Sequence, residues 1–465
     1  MGILGKLFGA SSSTKAQYDA ALHTPRNSEQ WRYSDVWNAD QSLRPEVRRT
    51  LRSRSRYECD NNSWLTGMIV SHAESVVGTG ARLQIHGLGE EGNEYEREFD
   101  GWARSVALWK TIRTAICTEI RDGEAFIQLT NRPRNANPCK LYPLLLDAER
   151  ICTPDTDVDT DDDLQADGIY FDRYLVPVRY SVAQEHPSVT SGRHYTVDAD
   201  YMCHLFRQER PEQHRGAPII ASALPSIAML RAYTIAMLAK MENSASVAGV
   251  LKPDPSVIDA DSLADPPFSE FAMPQRSWVT LPSGYSMEQY QLQNPTDSQQ
   301  SFALSVKIEC ARCILATRNV VLGDSSSYNY SSARLDMQSY DRAIAVQREE
   351  IVDIILDKVF RQWWLEMHPT EDVPAHQWMF QSREYINPSQ ESKAEATRME
   401  NSIASYQQIC AEKGQDWQSV MRQKFEAEQY KRKLEQEFGF SIPMGVAFDN
   451  KMDNTEDSEV WEKEN

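Results

Sequence analysis

Apolar positions recur at spacings of three and four along much of the chain, the mark of helices with one covered face. In NNSWLTGMIVSHAESVV, Leu65, Met68, Ile69, His72, Ser75 and Val76 share such a face. Gly78 and Gly80 stop that helix, and ARLQIH follows with the alternation of a short strand. The run EYEREFDGWARSVALWKTIRTAICTEIRDGEAFIQLT predicts two helices leading into a strand, with Asp122 and Gly123 making the turn into 125–129. LYPLLLDAERI predicts a further buried strand, GIYFDRYLVPVRYSVAQEH a strand pair, and YMCHLFR one more.

Beyond the turn-rich EQHRGAP the pattern becomes helical over PIIASALPSIAMLRAYTIAMLAKMENSASVAG. Ile227, Leu230, Thr234, Leu238 and Met241 fall on one face, and Met229, Tyr233 and Met237 on another. A helix apolar on two faces needs neighbours on two sides, either inside one core or between copies of a ring. Residues 251–296 hold seven of the 22 prolines, with short strands expected near 278–281 and 285–290, as in a compact protruding insertion. A second helix is expected over 298–318, then the loop VVLGDSSSYNYSS, then a helical stretch from 333 to 367. Ile344, Ile351, Ile355, Val359 and Trp363 keep to one stripe of that stretch, which at 1.5 Å per residue extends ~50 Å and ends before Pro369 and Pro374. A charged helical pair joined near Gly414 follows, with Asp416 as the expected N-cap of its second member. From Asp449 onward seven acidic and two basic residues predict a disordered tail.

At 465 residues the chain is long enough for two to four modules. No window approaches the ~18 uninterrupted apolar residues of a membrane span, because 219–241 and 344–367 are broken by Ser, Arg, Lys, Gln or Glu. The opening MGILGKLFGASSSTK is too short and too interrupted for a signal peptide, and Lys6 stands where a myristoylation motif has Ser or Thr, so a flexible arm is expected. Eight scattered cysteines fit a reducing compartment, and Cys310 and Cys313 read as packing on one helix face rather than half a zinc site. The net charge of −19 argues against a protein that grips phosphates tightly, since such affinity comes from cations displacing counterions. It is compatible with a conduit through which DNA slides.

Catalytic signatures are missing from the sequence. It contains no GxxxxGK[ST], no HExxH, no GxSxG and no full set of zinc ligands. Asp157, Asp159 and Asp161 stand at positions one, three and five of a calcium loop, but position six is Asp162 and position twelve Gly168, so a solvated loop is expected. Asp161, Asp162 and Asp163 are consecutive and do not converge on a metal by themselves. The expectation is a non-enzyme with no catalytic, cofactor-binding or metal residue.

The order of these segments resembles the lambda-like family of tailed-bacteriophage portal proteins over roughly 15–440. LRSRSRYECDNNSWLTGMIVSHAESVVGTGARLQIH is similar to that family's Arg-rich segment, paired asparagines, helix and VVGTG turn, with Asp60 where the family often has Arg. DGEAFIQL, the GI-x-FD strand pair followed by Glu185, His186 and Pro187, HLFRQERPEQHRGAP, the LPSG turn at 281–284 and GDSSSYNYSSAR at 323–334 fall in the family's order. The segment between Arg318 and Gly323 is shorter than is usual there.

The resemblance implies an α+β portal fold assembled as a ring, a dodecamer in most relatives. Implied parts are a flexible arm (1–40), a mixed α/β wing (41–216 with part of 335–385), two stem helices (217–250 and 297–319) and a small α/β clip (251–296). A tunnel loop (320–334), a long tunnel helix with a return into the wing (335–385), helical crown (386–440) and acidic tail (441–465) complete it. The implied function is a head–tail connector at one capsid vertex, assembled in the cytoplasm of a bacterial host and serving DNA packaging and ejection. Partners implied are copies of itself, double-stranded DNA without sequence specificity, the large terminase subunit, a head-completion or adaptor protein, and the major capsid and scaffold proteins, with no membrane. Lys307, Arg312 and Arg318 are candidates to face the DNA backbone, or are ordinary solvent-facing charges. Tyr328, Asn329 and Tyr330 are candidates to brush phosphates or sugars, or anchor a packed loop; Arg334 lines the channel or pairs with Asp324 or Asp336. Ile227, Leu230, Leu238, Met229, Tyr233 and Met237 are the candidates for ring packing. The alternatives are a minor capsid or connector protein without a channel and a metal-dependent nuclease of phage DNA.

Overall fold

The computed structural model describes residues 25–134, 137–154, 164–189, 192–246, 250–253, 285–288, 297–326, 329–381, 388–413, 415 and 417–438. The chain is mixed α and β, mostly helical with small sheets, and divides into two compact units. Unit 1 comprises Met1–Leu65, Thr118–Phe126 and Leu146–Ile314; unit 2 comprises Thr66–Cys117, Ile127–Leu145 and Leu315–Asn465.

After two short helices, Pro25–Gln30 and Ala39–Ser42, unit 1 continues into the helix Pro45–Asn61. Pro45 occupies the first turn, where its fixed φ suits the helix and its missing N–H costs nothing. Four short strands, Leu164–Ala166, Ile169–Phe171, Pro177–Ala183 and His194–Asp198, form an antiparallel sheet in that order. Ile169 lies opposite Tyr180 and Tyr180 opposite Val197, so three apolar side chains meet on one face. With Phe126, Ile151, Val182 and Met202 they build the core of the unit. Gly123 turns the chain at φ +94° where a Cβ would stand 2.3 Å from the Ala217 carbonyl carbon, so no other residue fits.

Two helices of unit 1, Leu224–Ser246 and Asp297–Ala311, pack on each other. Between them in sequence, Val250–Pro253 pairs antiparallel with Tyr285–Glu288, closing the two ends of the proline-rich insertion. The strand expected near 278–281 lies outside the described residues, as do 155–163 with their aspartates. The second helix is shorter than the pattern predicts. It ends at Ala311, makes one 3-10 turn over Arg312–Ile314, and stops at Leu315, whose left-handed backbone (φ +55°) breaks the right-handed ladder.

Unit 2 is built on a helix continuous over 38 residues, made of Tyr330–Ile351, a widened π segment Val352–Leu356, and Asp357–Met367. Its length is ~57 Å. The stripe Ile344, Ile351, Ile355, Val359 and Trp363 is buried throughout. Phe99, from the helix Gly89–Ser105, sits amid Trp102, Phe360, Trp363 and Trp378 with ring centroids 5.3–5.7 Å away. The strand Ala81–Ile85 pairs antiparallel with His376–Phe380, Ala81 opposite Phe380. Gly80, at φ +117°, lets the chain pass over the Trp109 indole, which a Cβ would meet at 2.5 Å.

The long helix begins three residues earlier than the apolar spacing predicts, because Asn329 and Ser332 form a reciprocal capping box that starts it at Tyr330. Among the described residues the C-terminal part holds three helices, Pro388–Glu400, Tyr406–Glu412 and Trp417–Phe438, where sequence predicts two. The extra break falls at Ser402, in the left-handed region at φ +57°. Gly414 and Asp416 lie outside the described residues.

Candidate functional site

The arginine-rich run faces inward. Arg48, Arg52 and Arg56 follow each other at spacings of four on Pro45–Asn61, and each meets a carboxylate: Asp167, Glu124 and Asp122. Arg56 engages Asp122 with two parallel bonds of 2.9 Å. Glu124, wholly buried, also accepts from Arg215 at 2.6 and 2.9 Å, from the Gly216 amide at 3.1 Å and from His204 at 3.2 Å. Burial alone would raise the Glu124 carboxyl, but the Arg215 and Arg52 charges outweigh it and hold the group well below the usual carboxylate range. Burial and then the neighbouring Arg215 charge push Arg48 down to about 10. The periodicity of four within RPEVRRTLRSRSR was the available signal for a structural stripe; its partners, 66 to 119 residues away, were not readable.

The ring-packing candidates divide into two sets. Ile227 and Leu230 are buried by the chain's own residues, at 1% and 5% exposure, so they have no surface to present to another copy. Tyr233 packs edge-on against Phe302 of the neighbouring helix at 6.2 Å, and Met237 is half-buried. Met229 (74% exposed) and Leu238 (60%) stand open, joined by Ile235 and Phe302, which the sequence reading did not single out. By length and composition Ala221–Glu242 passes as a membrane span, a property the interrupted apolar pattern did not predict. Yet Arg231 in its middle donates to Glu58 through two bonds of 3.0 Å.

The channel candidates are not on one element. Lys307 belongs to Asp297–Ala311, half-buried, with its ammonium 5.8 Å from the centre of the Trp64 ring. Arg312 is exposed on the 3-10 turn. Arg318 is not on that helix: it opens the separate helix Arg318–Leu322 in unit 2. Gly323 ends this helix with left-handed backbone at φ +62°. Asp324 accepts from the Ser326 amide at 2.9 Å, which, with a smaller contribution from Arg318, holds its carboxyl below the usual value. Asn329 is a helix cap, its side chain accepting from the Ser332 amide at 2.8 Å. Tyr330 starts the long helix and Arg334 is exposed in its second turn; Tyr328 lies outside the described residues.

Among the described residues one group brings metal-ligand atoms together, Asp147, Glu149 and His186, within 4.8 Å of one another. No spacing in the sequence joins them. Arg56 donates to Asp147 at 3.2 Å and to Glu149 at 3.3 Å, and the Ser188 amide donates to His186 Nδ1 at 3.2 Å. That bond leaves the proton of a neutral imidazole on Nε2, which points at Glu149 Oε2 3.4 Å away. The arrangement is an ion-pair network closed by its own cation.

A family model described as phage portal protein, lambda family, matches residues 24–348. Among solved structures the chain is similar to one from the virion of a native gene transfer agent particle, at 13% identity and a TM-score of 0.47, covering 77% of this chain and 92% of that one. It is similar to another from the neck of an empty particle of that kind, at 14% identity and a TM-score of 0.48, covering 78% and 93%. A third, from the neck of the native particle computed with C12 symmetry, is 13% identical with a TM-score of 0.48, covering 80% and 91%. Among curated proteins none matches.

Proposed function

The chain belongs to the lambda family of phage portal proteins, and from that premise we propose that it closes with copies of itself into a dodecameric ring through which double-stranded DNA enters and leaves the capsid. It is a portal subunit, and its place is the portal vertex of the particle. The finer assignment follows the elements. Leu224–Ser246 and Asp297–Ala311 serve as the stem, and the insertion between them, closed by Val250–Pro253 and Tyr285–Glu288, as the clip. The mixed α/β segments within 41–216 form the wing, the loop between Gly323 and Asn329 the tunnel loop, and the helices from Pro388 to Phe438 the crown.

The observation that carries the ring is the open apolar surface of the stem pair: Met229, Ile235, Leu238 and Phe302 are all more than half exposed in the single chain. Met229 and Leu238 stand on opposite faces of their helix; exposed apolar groups on two faces mark an interaction surface, and a closed ring lets each copy cover a neighbour on either side. The net charge of −19 suits the bore: an acidic wall repels phosphates, so DNA slides without sticking, and Lys307 and Arg312 supply the few cations that damp it. The clip docks the terminase large subunit during packaging and a head-completion or adaptor protein afterwards, while scaffold and major capsid proteins meet the wing.

Mass measurement on the purified assembly, with negative-stain images, tests this. A closed ring with a central hole is expected; a monomer at every concentration, or a compact particle with no hole, overturns it.

A further inference from the structure

Cys310 and Cys313 stand three apart across the point where the helix Asp297–Ala311 gives way to the 3-10 turn Arg312–Ile314. Residues three apart eclipse one another in a 3-10 turn, and in either kind of turn their Cα atoms are about 5–6 Å apart. That lies inside the span of about 4.4–6.8 Å that a disulfide bridges. Spacing alone predicts packing for both thiols, and Cys310 follows it at 4% exposure. Cys313 does not. It is half-buried, with its Sγ 3.4 Å from the Ser222 hydroxyl on the turn Ala221–Ala223. Arg207 steadies this junction by donating to the Cys313 carbonyl at 2.9 Å.

The two thiols therefore have different chemistry open to them. Burial, and then the charge of the neighbouring Cys313, pushes the Cys310 thiol up to about 11, so it stays protonated and unreactive by itself. Only ionised sulfur attacks a disulfide, and the attacked reagent must reach it. Cys313 meets the second condition, and the Ser222 hydroxyl is in position to donate to its sulfur. Cys310 is closed to a bulky reagent but adjoins whatever becomes attached to Cys313, which replaces an encounter in solution by one within the turn. The pair also sits at the C-terminal end of its helix, where the dipole gives a thiolate none of the support it has at an N-terminus. With no such support for the ionised dithiol, the balance tips toward the disulfide once formed.

We propose that Cys310 and Cys313 are a redox-sensitive pair that closes into a disulfide by exchange with a small-molecule disulfide of the glutathione type. The Cys313 thiolate attacks one sulfur of the reagent, whose S–S bond breaks and releases one thiolate. Cys310 then attacks the Cys313 sulfur of the mixed disulfide and releases the second. The protein loses two electrons, the reagent gains them, and the two thiol protons end on the released thiolates. In a reducing compartment the pair stays open; in oxidising surroundings it closes and fastens the turn at the end of Asp297–Ala311. The inference does not rest on ring closure.

The test incubates the full-length protein with oxidised glutathione, blocks remaining thiols with N-ethylmaleimide, and digests with trypsin without reduction. Cleavage after Lys307, Arg312 and Arg318 puts the two cysteines on separate peptides, 308–312 and 313–318, which stay together only through a disulfide. Mass spectra of the wild type should show the linked pair, or uncut 308–318 two hydrogens lighter, as the main form, and reduction should remove it. Cys310→Ser should halt after the first exchange with glutathione on Cys313. Cys313→Ser should show neither a link nor an adduct on Cys310. Maleimide on both cysteines of the treated wild type, or a folded Cys310→Ser protein with no adduct on Cys313, overturns the proposal. The wild type decides the link by itself if Cys310→Ser does not fold.

Discussion

Arg215 Nη2 lies 2.6 Å from Glu124 Oε1, with both side chains closed to solvent and 91 positions apart in the chain. This contact and its neighbours hold Pro45–Asn61, the strand that starts at Glu124 and the segment before the stem in one unit. A buried pair of this kind does not add stability beyond what a well-packed apolar pair would, but removing one member leaves a charge with no counterpart.

Glu124→Gln should therefore destabilise unit 1 by about 3–5 kcal/mol, measured by urea unfolding. The effect should depend on acid. The folded carboxyl is held below its usual range, so its contribution is whole above about pH 4.3 and is lost as pH falls through the depressed folded value. The gap between wild type and variant should close in that acid window, and a gap independent of pH would contradict the assignment.

Leu238→Asp and Ile227→Asp should fail differently. Leu238 is open, so its variant should stay folded by circular dichroism and lose the ring by native mass. Ile227 is covered within the chain, so its variant should lose thermal stability whether or not it assembles. Intact rings from Leu238→Asp would remove this helix from the interface.

Sequence patterns carried the long helix, its buried stripe, the turn at Gly123 and most strands, because each is fixed by local period or by one residue's backbone freedom. Three things were out of reach. The arginine run carried no sign of its direction, because facing inward depends on carboxylates far along the chain. The split of the stem face into covered Ile227 and open Leu238 depends on how far the helix Pro45–Asn61 reaches, which no heptad count contains. The halt at Leu315 has no glycine or proline to announce it. Recognition of the family was readable from motif order alone, over a span, roughly 15–440, that contains all of 24–348.

His72 is buried in unit 2 between Tyr340 and Gln347, 2.9 Å from each, and burial lowers its pKa. The folded form keeps the ring neutral, so its contribution is present above about pH 6.5 and declines as pH falls and the unfolded chain takes up the proton. Thermal unfolding should show unit 2 weakening from about pH 6.5 downward. His72→Gln should flatten that slope; an unchanged slope assigns it to other groups.

Two glycines should respond oppositely to alanine. Gly123→Ala forces a Cβ against the Ala217 backbone at 2.3 Å and should cost more than about 2 kcal/mol. Gly67, inside Ser63–Val77 with nothing within 4 Å, should gain about 0.5–1 kcal/mol. Denaturation midpoints for the two variants, shifted in opposite directions, are the expected result.

Deleting 324–328 spares the Asn329–Ser332 box that starts the long helix. Rings should form, while DNA packaging or retention in particles should fall. Loss of assembly would instead make the loop structural.

The π segment Val352–Leu356 alters how the long helix meets its surroundings. Positions four apart drift by about 40° per step around an ordinary α-helix, so a stripe at that spacing soon winds off its contact. Around the wider turn each residue advances less, and Ile351, Ile355, Val359 and Trp363 stay in line. The seam of unit 2 is thus straight where a regular rod of the same residues would carry it sideways; losing one residue inside the wide turn would restore an ordinary turn and leave the tryptophans in their aromatic nest, whereas losing one elsewhere in the helix would swing them out.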